Sequence, residues 1–440
     1  MHRSVLSLAS RGLLSVALSL AVAPAGGQSI SFSGAAWYPV GSTPYDLALG
    51  DFDGDGIVDA VTADIEADSV TVRRGDGIGG FGPPLTVPVG DGPWKVVAGR
   101  LNADLFDDLV VCHHNADGTW ILLADGLGGF AAPVPFDAGL ISVPALVDLD
   151  LDGDLDLALT TRFTSTVRAF LGDGEGGFGA PTGSWTLPGA SHPLRLRPLF
   201  LDADIWPDLI VFDSGGDLHG LFGTGSGTFS SVKVYTNYGS GFDVAVAALN
   251  ADSFADLALT RTNSGQLVIL FNDGTGELTG SGQSLGMLPW SIAAGDWNGD
   301  GFTDLAVTAD NQVQRTLLGD GAGNFAVAPA AQWPPVNCLG RSLLAADVDL
   351  DGDPDLLCAD ESGSRVVVSL GDGAGAFTAG RTFPAGAQPR ALAVAPFDAV
   401  PGSDLVVGSY AAGGGFRLLP NLGGGLFGPP APFTPAGVEV

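Results

Sequence analysis

Residues 51–59 read Asp-Phe-Asp-Gly-Asp-Gly-Ile-Val-Asp, and this acidic loop occurs eight times along the chain. The later copies start at Arg100, Asp148, Phe200, Ala248, Asp296, Asp347 and Pro396. Successive copies lie 48 to 52 residues apart, so the period is nearly constant. A period near 50 residues predicts an array of supersecondary units, such as a solenoid or a propeller.

Each repeat divides into four short apolar runs. In the first repeat these are residues 46–50, 60–63, 70–73 and 85–89, and residues 75–81 form a glycine-rich turn before the last of them. Short runs separated by Gly, Asp and Pro clusters predict an antiparallel meander. Four strands in each repeat are typical of a propeller blade. We therefore predict an all-β fold, an eight-bladed β-propeller of four-stranded antiparallel blades.

The two ends of the chain leave the closure of the ring open. Segments similar to the fourth strand of a blade occur at about residues 35–40 and again at about residues 431–435. Eight sets of the first three strands thus accompany nine copies of the fourth, and one copy is surplus. Either terminal segment is expected to complete the last blade. Seven blades plus an irregular unit are the alternative.

The composition excludes one class of partner. The chain has 18 basic and 49 acidic residues and a net charge of -31, whereas nucleic-acid binding requires a basic surface. With 67 Gly and 29 Pro beside 45% apolar residues, the sequence is typical of a turn-rich β protein. We expect no nucleic-acid partner.

The N-terminal residues predict export. Arg3 and Arg11 precede an apolar run over residues 12–23, and small residues at 23–25 are suitable for cleavage. The run is too short to span a bilayer, and no second run of spanning length follows. We expect a signal peptide at residues 1–25, a single propeller at residues 30–440 and no transmembrane segment. The mature protein is then secreted, periplasmic or at the cell surface.

The three cysteines are an odd number and cannot all pair within one chain. Cys112 and Cys358 each lie in the apolar run after an acidic loop, where we expect small buried thiols. A bridge between Cys338 and Cys358 is the alternative.

Four copies of the acidic loop have a complete set of oxygen ligands. Numbered 1 to 9, positions 1, 3, 5 and 9 offer side-chain oxygens, position 7 offers a carbonyl, and glycine at position 6 permits a positive φ. Oxygen ligands on alternate residues suit calcium, and we expect about four structural Ca²⁺ ions. The alternative is a set of Asp-Gly turns that only cap hairpins. The predicted ligands are Asp51, Asp53, Asp55 and Asp59; Asp148, Asp150, Asp152 and Asp156; Asp296, Asn298, Asp300 and Asp304; and Asp347, Asp349, Asp351 and Asp355.

The other four copies are degenerate. In the second, fourth and fifth copies Arg100, Phe200 or Ala248 stands at position 1, and position 6 is no longer glycine. Ile205 at position 6 would be strained at positive φ, so we expect these loops to fold differently. We also expect Arg100 to replace an ion and to pair with Asp104 or Asp108. The eighth copy keeps only Asp398 and Asp404, and no metal is expected there.

The motif Asp-x-Asp-x-Asp-Gly-x-x-Asp after an apolar strand, with Gly-Asp-Gly-x-Gly-x-Phe one hairpin later, resembles the FG-GAP/VCBS repeats of integrin α-subunit propellers and of many bacterial exported proteins. The resemblance covers about residues 32–427. It implies structural calcium, which we carry over to the four complete loops only. It implies adhesion or ligand binding more often than catalysis.

A ligand would lie on the rim opposite the acidic loops, where connections are free to vary. Six residues before loop position 1, most repeats have an aromatic or arginine side chain, able to stack on sugar rings or peptide aromatics. The alternative is that these rings only cover the core. The predicted ligand residues are Tyr45, Trp94, Phe242, Trp290, Arg341 and Arg390.

These features predict a non-catalytic binding or adhesion module for a carbohydrate or an extracellular protein. One alternative is an enzyme resembling a polysaccharide lyase, which needs a base beside calcium or arginine. Tyr45, His113, Arg341 and Arg390 are the candidates for that chemistry. The other alternative is a purely structural surface protein.

Overall fold

The structure is a computed structural model. It describes residues 36–77, 80–114, 117–140, 142–161, 163–236, 243–309, 314–328, 340–377, 381–385, 387–397, 402–409, 415–423 and 426–427. The predicted signal peptide, Phe242, Cys338, Asp398 and the C-terminal fourth-strand segment lie outside these residues.

The first repeat forms one antiparallel sheet. Its strands are β2 (Pro44–Gly50), β3 (Asp59–Asp64), β4 (Ser69–Arg73) and β5 (Leu85–Pro88), hydrogen-bonded in that order. We name the four strands of such a sheet A to D from the centre outward. Strand B is buried along its whole length, whereas strand D is largely exposed. An interior strand covered on both faces requires a continuous apolar run, which explains residues 60–63.

Each of six further repeats forms a four-stranded sheet with the same strand order. The N-terminal strand β1 (Ala36–Pro39) precedes blade 1. Blades 2 to 4 comprise the strands β6 (Pro93–Gly99), β7 (Asp108–His113), β8 (Asp117–Leu122) and β9 (Val134–Leu140); β10 (Ser142–Val147), β11 (Asp156–Thr161), β12 (Thr166–Gly172) and β13 (Phe178–Thr186); and β14 (Pro193–Leu199), β15 (Asp208–Asp213), β16 (Leu218–Gly223) and β17 (Phe229–Tyr235). Blades 5 to 7 comprise β18 (Val244–Ala247), β19 (Asp256–Arg261), β20 (Gln266–Asn272) and β21 (Leu278–Ser284); β22 (Pro289–Gly295), β23 (Asp304–Ala309), β24 (Gln314–Gly319) and β25 (Phe325–Val327); and β26 (Gly340–Ala346), β27 (Asp355–Asp360), β28 (Arg365–Ser369) and β29 (Arg381–Pro384).

The last blade combines segments from near both ends of the described residues. Strands β30 (Pro389–Ala395), β31 (Asp404–Ser409) and β32 (Gly415–Leu419) supply positions A to C, and β1 pairs with β32 as strand D. The N-terminal segment therefore closes the ring. Tyr38 on β1 packs against Phe81 and Phe416, with ring centroids 5.2 Å and 5.9 Å apart.

Apolar clusters lie between neighbouring blades all around the ring. Residues of blades 1 and 2 share one cluster, those of blades 8 and 1 share another, and every intermediate pair is joined in the same way. Each sheet buries both faces against its neighbours, so the blades depend on one another for a core. The prediction of eight four-stranded blades is confirmed, and the alternative of seven blades plus an irregular unit is wrong.

Two further elements lie outside the eight sheets in the part of the chain that the structure describes. A two-stranded hairpin, β33 (Asn421–Gly423) and β34 (Leu426–Phe427), follows the last blade, and a short 3-10 helix spans Thr262–Ser264. No helix within the described ranges is long and apolar enough to cross a membrane.

The cysteines differ in part from expectation. Cys112 is free and fully buried, as predicted. Cys358 is buried but disulfide-bonded, so the prediction of a thiol at that position is wrong. The apolar pattern around Cys358 predicts burial, but it does not indicate whether the thiol forms a disulfide with a cysteine elsewhere in the sequence.

Candidate metal centres and the opposite channel mouth

The acidic loops connect strand A to strand B, and they share one rim with the C–D turns. The last aspartate of each loop joins the two. In blade 1, Asp59 Oδ2 accepts the Phe52 N–H at 2.9 Å and Asp59 Oδ1 accepts the Gly75 N–H of the C–D turn at 2.8 Å. The acidic loops and the glycine-rich turns therefore lie together on one rim.

The same double contact occurs in all eight blades, with or without a complete loop. The aspartates at position 9 are Asp59, Asp108, Asp156, Asp208, Asp256, Asp304, Asp355 and Asp404. Each is at most 1% exposed. Position 9 is therefore a structural link between two loops before it is a candidate ligand, a role that the sequence analysis missed. Its presence in the degenerate copies was the signal that could have shown this.

Positions 1 and 5 shape the complete loops. In blade 1, Asp51 accepts the N–H groups of Gly54 and Gly56 at 2.7 Å and 3.1 Å. Asp55 accepts the Ile57 N–H at 2.8 Å, an Asx turn. Gly56 has a φ of 80°, and an added Cβ would meet nothing within 4 Å. Glycine is thus required at position 6 for conformation rather than for space, as predicted.

Three of the complete loops bring carboxylate oxygens within 4.8 Å of one another. These clusters are Asp51, Asp53 and Asp59 in blade 1; Asp148, Asp150 and Asp156 in blade 3; and Asp347, Asp349 and Asp351 in blade 7. In blade 6 the Asn298 amide instead donates to Asp300 Oδ2 at 2.9 Å. The fourth predicted site therefore has one carboxylate fewer than the others, and its amide group donates a hydrogen bond to one of the remaining carboxylates.

Several oxygens in these clusters lack a partner. The Oδ1 atoms of Asp150, Asp347 and Asp349 are buried and have no hydrogen-bond partner among the described residues. A buried polar atom without a partner is costly, and a bound cation would satisfy it. Donor sets made only of oxygen fit a hard divalent cation.

The electrostatics of the clusters also favour a cation. Burial, followed by repulsion from Asp351, raises the pKa of Asp349 to about 6. Burial raises the pKa of Asp59 and of Asp156 to about 7, with nearby carboxylates adding to the effect. These groups are crowded with negative charge that protons or a cation would neutralise.

The degenerate loops fold differently, as expected. Among the described residues, none at positions 4 and 6 of blades 2, 4 and 5 has a positive φ. Instead, Asn102, Asp202 and Asn250 at position 3 each form a β-bridge to the C–D turn of the next blade, at Glu175, Thr275 and Ala322. The complete loop of blade 6 also contacts the next blade, since the Gly375 N–H donates to the Trp297 carbonyl at 2.9 Å. The degenerate loops therefore keep a backbone contact between blades without the tight wrap of the complete loop.

The predicted partner of Arg100 is wrong. Arg100 Nε lies 3.9 Å from Asp107 Oδ1, not beside Asp104 or Asp108. Asp107 Oδ2 in turn accepts the Asp51 N–H of blade 1 at 2.9 Å. The two aspartates named in the sequence prediction serve the local turn: Asp104 accepts the Phe106 N–H and Asp108 links the loops.

On the opposite rim, the residues predicted to form a ligand platform differ in exposure. Tyr45 is 45% exposed and its ring lies 5.8 Å from that of Trp94, which is only 6% exposed. The Trp94 ring in turn contacts His114 at 5.8 Å. Trp94 therefore covers the core, as the alternative interpretation stated, whereas Tyr45 is presented to solvent.

The remaining predicted ligand residues are less uniform. Trp290 is partly exposed. Arg390 is exposed and donates to Glu361 Oε1 at 2.6 Å. Arg341 lies on β26, with its side chain outside the description, and Phe242 is not described at all. His113, named for base catalysis, is fully buried, and burial lowers its pKa.

The fold and its loops define a class: an eight-bladed β-propeller with acidic A–B loops. A family model described as FG-GAP-like repeat matches residues 51–111, 249–307, 296–358 and 347–399. The chain belongs to the FG-GAP-like repeat proteins. No curated protein matches the sequence.

Solved structures are similar in fold. Sqt1 of Saccharomyces cerevisiae is 11% identical with a TM-score of 0.60, and the match covers 88% of this chain and 99% of that one. An Agrocybe aegerita lectin that recognises non-reducing terminal N-acetylglucosamine is 18% identical with a TM-score of 0.49, covering 78% of this chain and 90% of that one. BBS1N, solved in complex with ARL6DN, is 13% identical with a TM-score of 0.49, covering 88% and 96%. At these identities the likeness to Sqt1 shows the propeller fold alone.

Proposed function

We propose that this protein is an exported, calcium-stabilised propeller that binds a carbohydrate at the channel mouth opposite its acidic loops. The observation that carries the proposal is the division of the molecule into two rims. One rim holds carboxylate clusters with unpartnered oxygens, and the other presents a solvent-exposed aromatic ring beside two further rings.

Calcium is the cation that best suits the acidic rim. The donors are carboxylates and backbone carbonyls in short flexible loops, which match the coordination number and irregular geometry of Ca²⁺ better than the strict octahedron of Mg²⁺. Asp51, Asp148, Asp296 and Asp347 would each be one ligand of an ion. The ion would neutralise crowded carboxylates and hold strand A against strand B. Outside the cell, calcium concentrations suit loops of modest affinity.

A carbohydrate suits the other rim because Tyr45 offers an exposed aromatic face. The ring of Tyr45 is supported from behind by Trp94, and Trp94 by His114. An aromatic side chain that is held in place stacks on a sugar ring at little cost in conformational entropy. An extracellular protein that inserts an aromatic or aliphatic side chain is the alternative ligand.

The proposal is tested on a panel of immobilised glycans. The wild-type protein in calcium should bind at least one glycan class, and Tyr45→Ala should lower the affinity about three- to tenfold because the stacking surface is lost. Leu194→Ala is the matched control, since Leu194 occupies the equivalent position in blade 4 and is 39% exposed without an aromatic ring. Equal losses in both variants, or binding to no glycan, would contradict the proposal.

A further inference from the structure

The charge of the inner strands is opposite to that of the chain. The whole sequence has 18 basic and 49 acidic residues. The eight A strands, which line the central channel, have one acidic residue, Asp46. Their basic residues are Lys95, Arg195, Arg197, Arg341 and Arg390. A basic channel within an acidic molecule concentrates the electrostatic field there and attracts anions.

Arg197 is exceptional at its level of the channel. It pairs across the sheet with Ile210, two residues after the position-9 aspartate of its blade. The residues with the same register in the other seven blades are Ala48, Val97, Ala145, Ala245, Ala293, Leu344 and Ala393. One long cationic side chain therefore lies within a ring of short apolar ones. Such a ring needs no arginine for packing.

The carboxylates nearest the channel are already engaged. Asp46 accepts Lys95 Nζ at 3.2 Å and the Val96 N–H at 3.2 Å. Asp243, directly before β18, lies 3.4 Å from Arg195 Nη1 and accepts Ser291 Oγ at 2.6 Å. Both acidic groups thus have a cation and a further donor of their own.

Arg197 has no carboxylate partner among the described residues. Its Nη1 donates at 3.3 Å to the carbonyl of the preceding residue, Leu196, and the side chain remains exposed to water. Desolvation by the surrounding protein, followed by the charge of Arg195, lowers the pKa of Arg197, while Asp243 and Asp46 act in the opposite direction. A partly desolvated guanidinium that contacts no carboxylate among the described residues is suited to bind a planar oxyanion through two parallel hydrogen bonds.

We propose that Arg197 binds the carboxylate of an acidic oligosaccharide, one that contains uronic acid residues. This inference rests on the proposed function and specifies its ligand. Lys95 connects the two parts of the site, because its Nζ lies 6.0 Å from the Trp94 ring at the mouth and 3.2 Å from Asp46 Oδ1 in the channel. A sugar stacked on Tyr45 would direct its acidic group towards the channel cations.

The test compares one oligosaccharide in two chemical forms by calorimetry. Oligogalacturonides are titrated into the calcium-loaded, full-length protein, and so are the same oligomers after reduction of each carboxyl to a primary alcohol. The acidic form should bind more tightly, and added salt should weaken it. Arg197→Ala should reduce its affinity about tenfold or more, as expected for a lost charge-assisted pair. This substitution introduces the side chain that five other blades already have at this position, so folding should be retained.

The control is Arg315→Ala, which removes the same charge from strand β24, away from the inner strands. It should leave the affinity unchanged. Equal affinity for both forms, or an Arg197→Ala variant that binds the acidic form as tightly as the wild type, would overturn this inference. The proposal of carbohydrate binding would still stand. Failure to bind either form, together with a negative glycan panel, would overturn both proposals.

Discussion

Two leucines in the acidic loops adopt a backbone conformation that leucine disfavours. At position 4, Leu151 has a φ of 59° and Leu350 a φ of 61°, whereas Gly54 and Gly299 occupy the same left-handed position in the other complete loops. The sequence analysis assigned a positive φ only to position 6. Because two copies have leucine at position 4, the residue pattern concealed the second left-handed position. The structure shows that the wrap of the loop imposes both.

Leu151→Gly should therefore stabilise the protein. Leucine in the left-handed region destabilises the folded state by about 1–2 kcal/mol. Glycine removes this strain, but its larger conformational entropy in the unfolded state offsets part of the gain. The side chain is 40% exposed, so little packing is lost. We expect a gain of about 0.5–1 kcal/mol in urea unfolding. Leu105→Gly is the control, since Leu105 is 69% exposed at negative φ, and it should destabilise. Equal effects would show that strain at position 4 is absent.

Arg100 shows a second limit of reasoning from single residues. The sequence placed it next to carboxylates within its own loop, which are close along the chain. The structure pairs it with Asp107, whose other oxygen reaches the backbone of the neighbouring blade. Sequence spacing defines which residues are near within one loop, but the choice among adjacent carboxylates depends on the direction of each side chain, which the backbone of the folded loop sets.

At the scale of the element, the A–B loop has two separate tasks. All eight copies use the position-9 aspartate to connect two loops of a blade, and three of the four complete copies add a cluster of carboxylate oxygens. The sequence alone did not separate these tasks, because the same residue type, aspartate, serves as a hydrogen-bond acceptor in one and as a candidate metal ligand in the other. They separate in blade 4, where the loop has no glycine at position 6 but Asp208 still accepts the N–H groups of Leu201 and Gly223 at 2.6 Å and 2.7 Å.

Asp208→Asn tests the structural task. The amide can accept one of the two backbone N–H groups, but its NH₂ group cannot accept the other, so a buried donor is left unsatisfied. We expect a loss of about 1–3 kcal/mol in urea unfolding, with no change in the number of bound calcium ions. Calcium stoichiometry measured on the same samples is the control. A drop in bound calcium would mean that blade 4 also holds an ion.

Asn298→Asp tests the metal task. Blade 6 has an asparagine where the other three complete loops have aspartate at position 3, so we expect its site to be the weakest of about four. Restoring the carboxylate should increase the calcium affinity of that site about tenfold, measured by calorimetry at low calcium, because a charged ligand replaces a neutral one. Asn102→Asp, at the same position of a degenerate loop, should leave the calcium titration unchanged. An altered titration there would contradict the division into two kinds of loop.

At the scale of the whole molecule, closure of the ring was decided by the structure. Segments at both termini had the pattern of a fourth strand, and the N-terminal one, Ala36–Pro39, is paired with β32. Tyr38 fills the core between blades 8 and 1, and its hydroxyl accepts the Phe81 N–H at 3.2 Å. A closed ring leaves no exposed pair of edges between the first and last blades.

The buried aspartates predict an unusual pH dependence for the calcium-free protein. Burial raises the pKa of Asp59 and Asp156 to about 7, and of Asp108, Asp208 and Asp304 to about 6, against 3.8 for an ordinary aspartate. At a pH between 3.8 and the raised pKa of each group, the folded state binds a proton that the unfolded state has released. Each group therefore contributes stability that is complete below about pH 3.8 and is lost as the pH rises through 6 to 7.

In a chelator, the melting temperature should accordingly rise by a few degrees between pH 8 and pH 5. About 0.5 M salt should be present to screen the general repulsion of an acidic chain. With saturating calcium the trend should reverse, because protons compete with the ion for the same carboxylates. Melting curves across pH, with and without calcium, check both signs. A flat profile in chelator would show that the carboxylates stay ionised without an ion.

The sequence by itself determined the period, the four strands of each blade, the all-β class and the loops rich in oxygen ligands. These features depend on residues close together along the chain, and they recur, so each copy supports the others. The structure decided what depends on contacts between distant segments. The N-terminal strand pairs with the edge of β32, and packing buries Trp94 while leaving Tyr45 exposed. The convergence of eight strands places Arg197 alone among small apolar side chains. Each outcome depends on which surfaces meet in the ring, and spacing along the chain does not specify that.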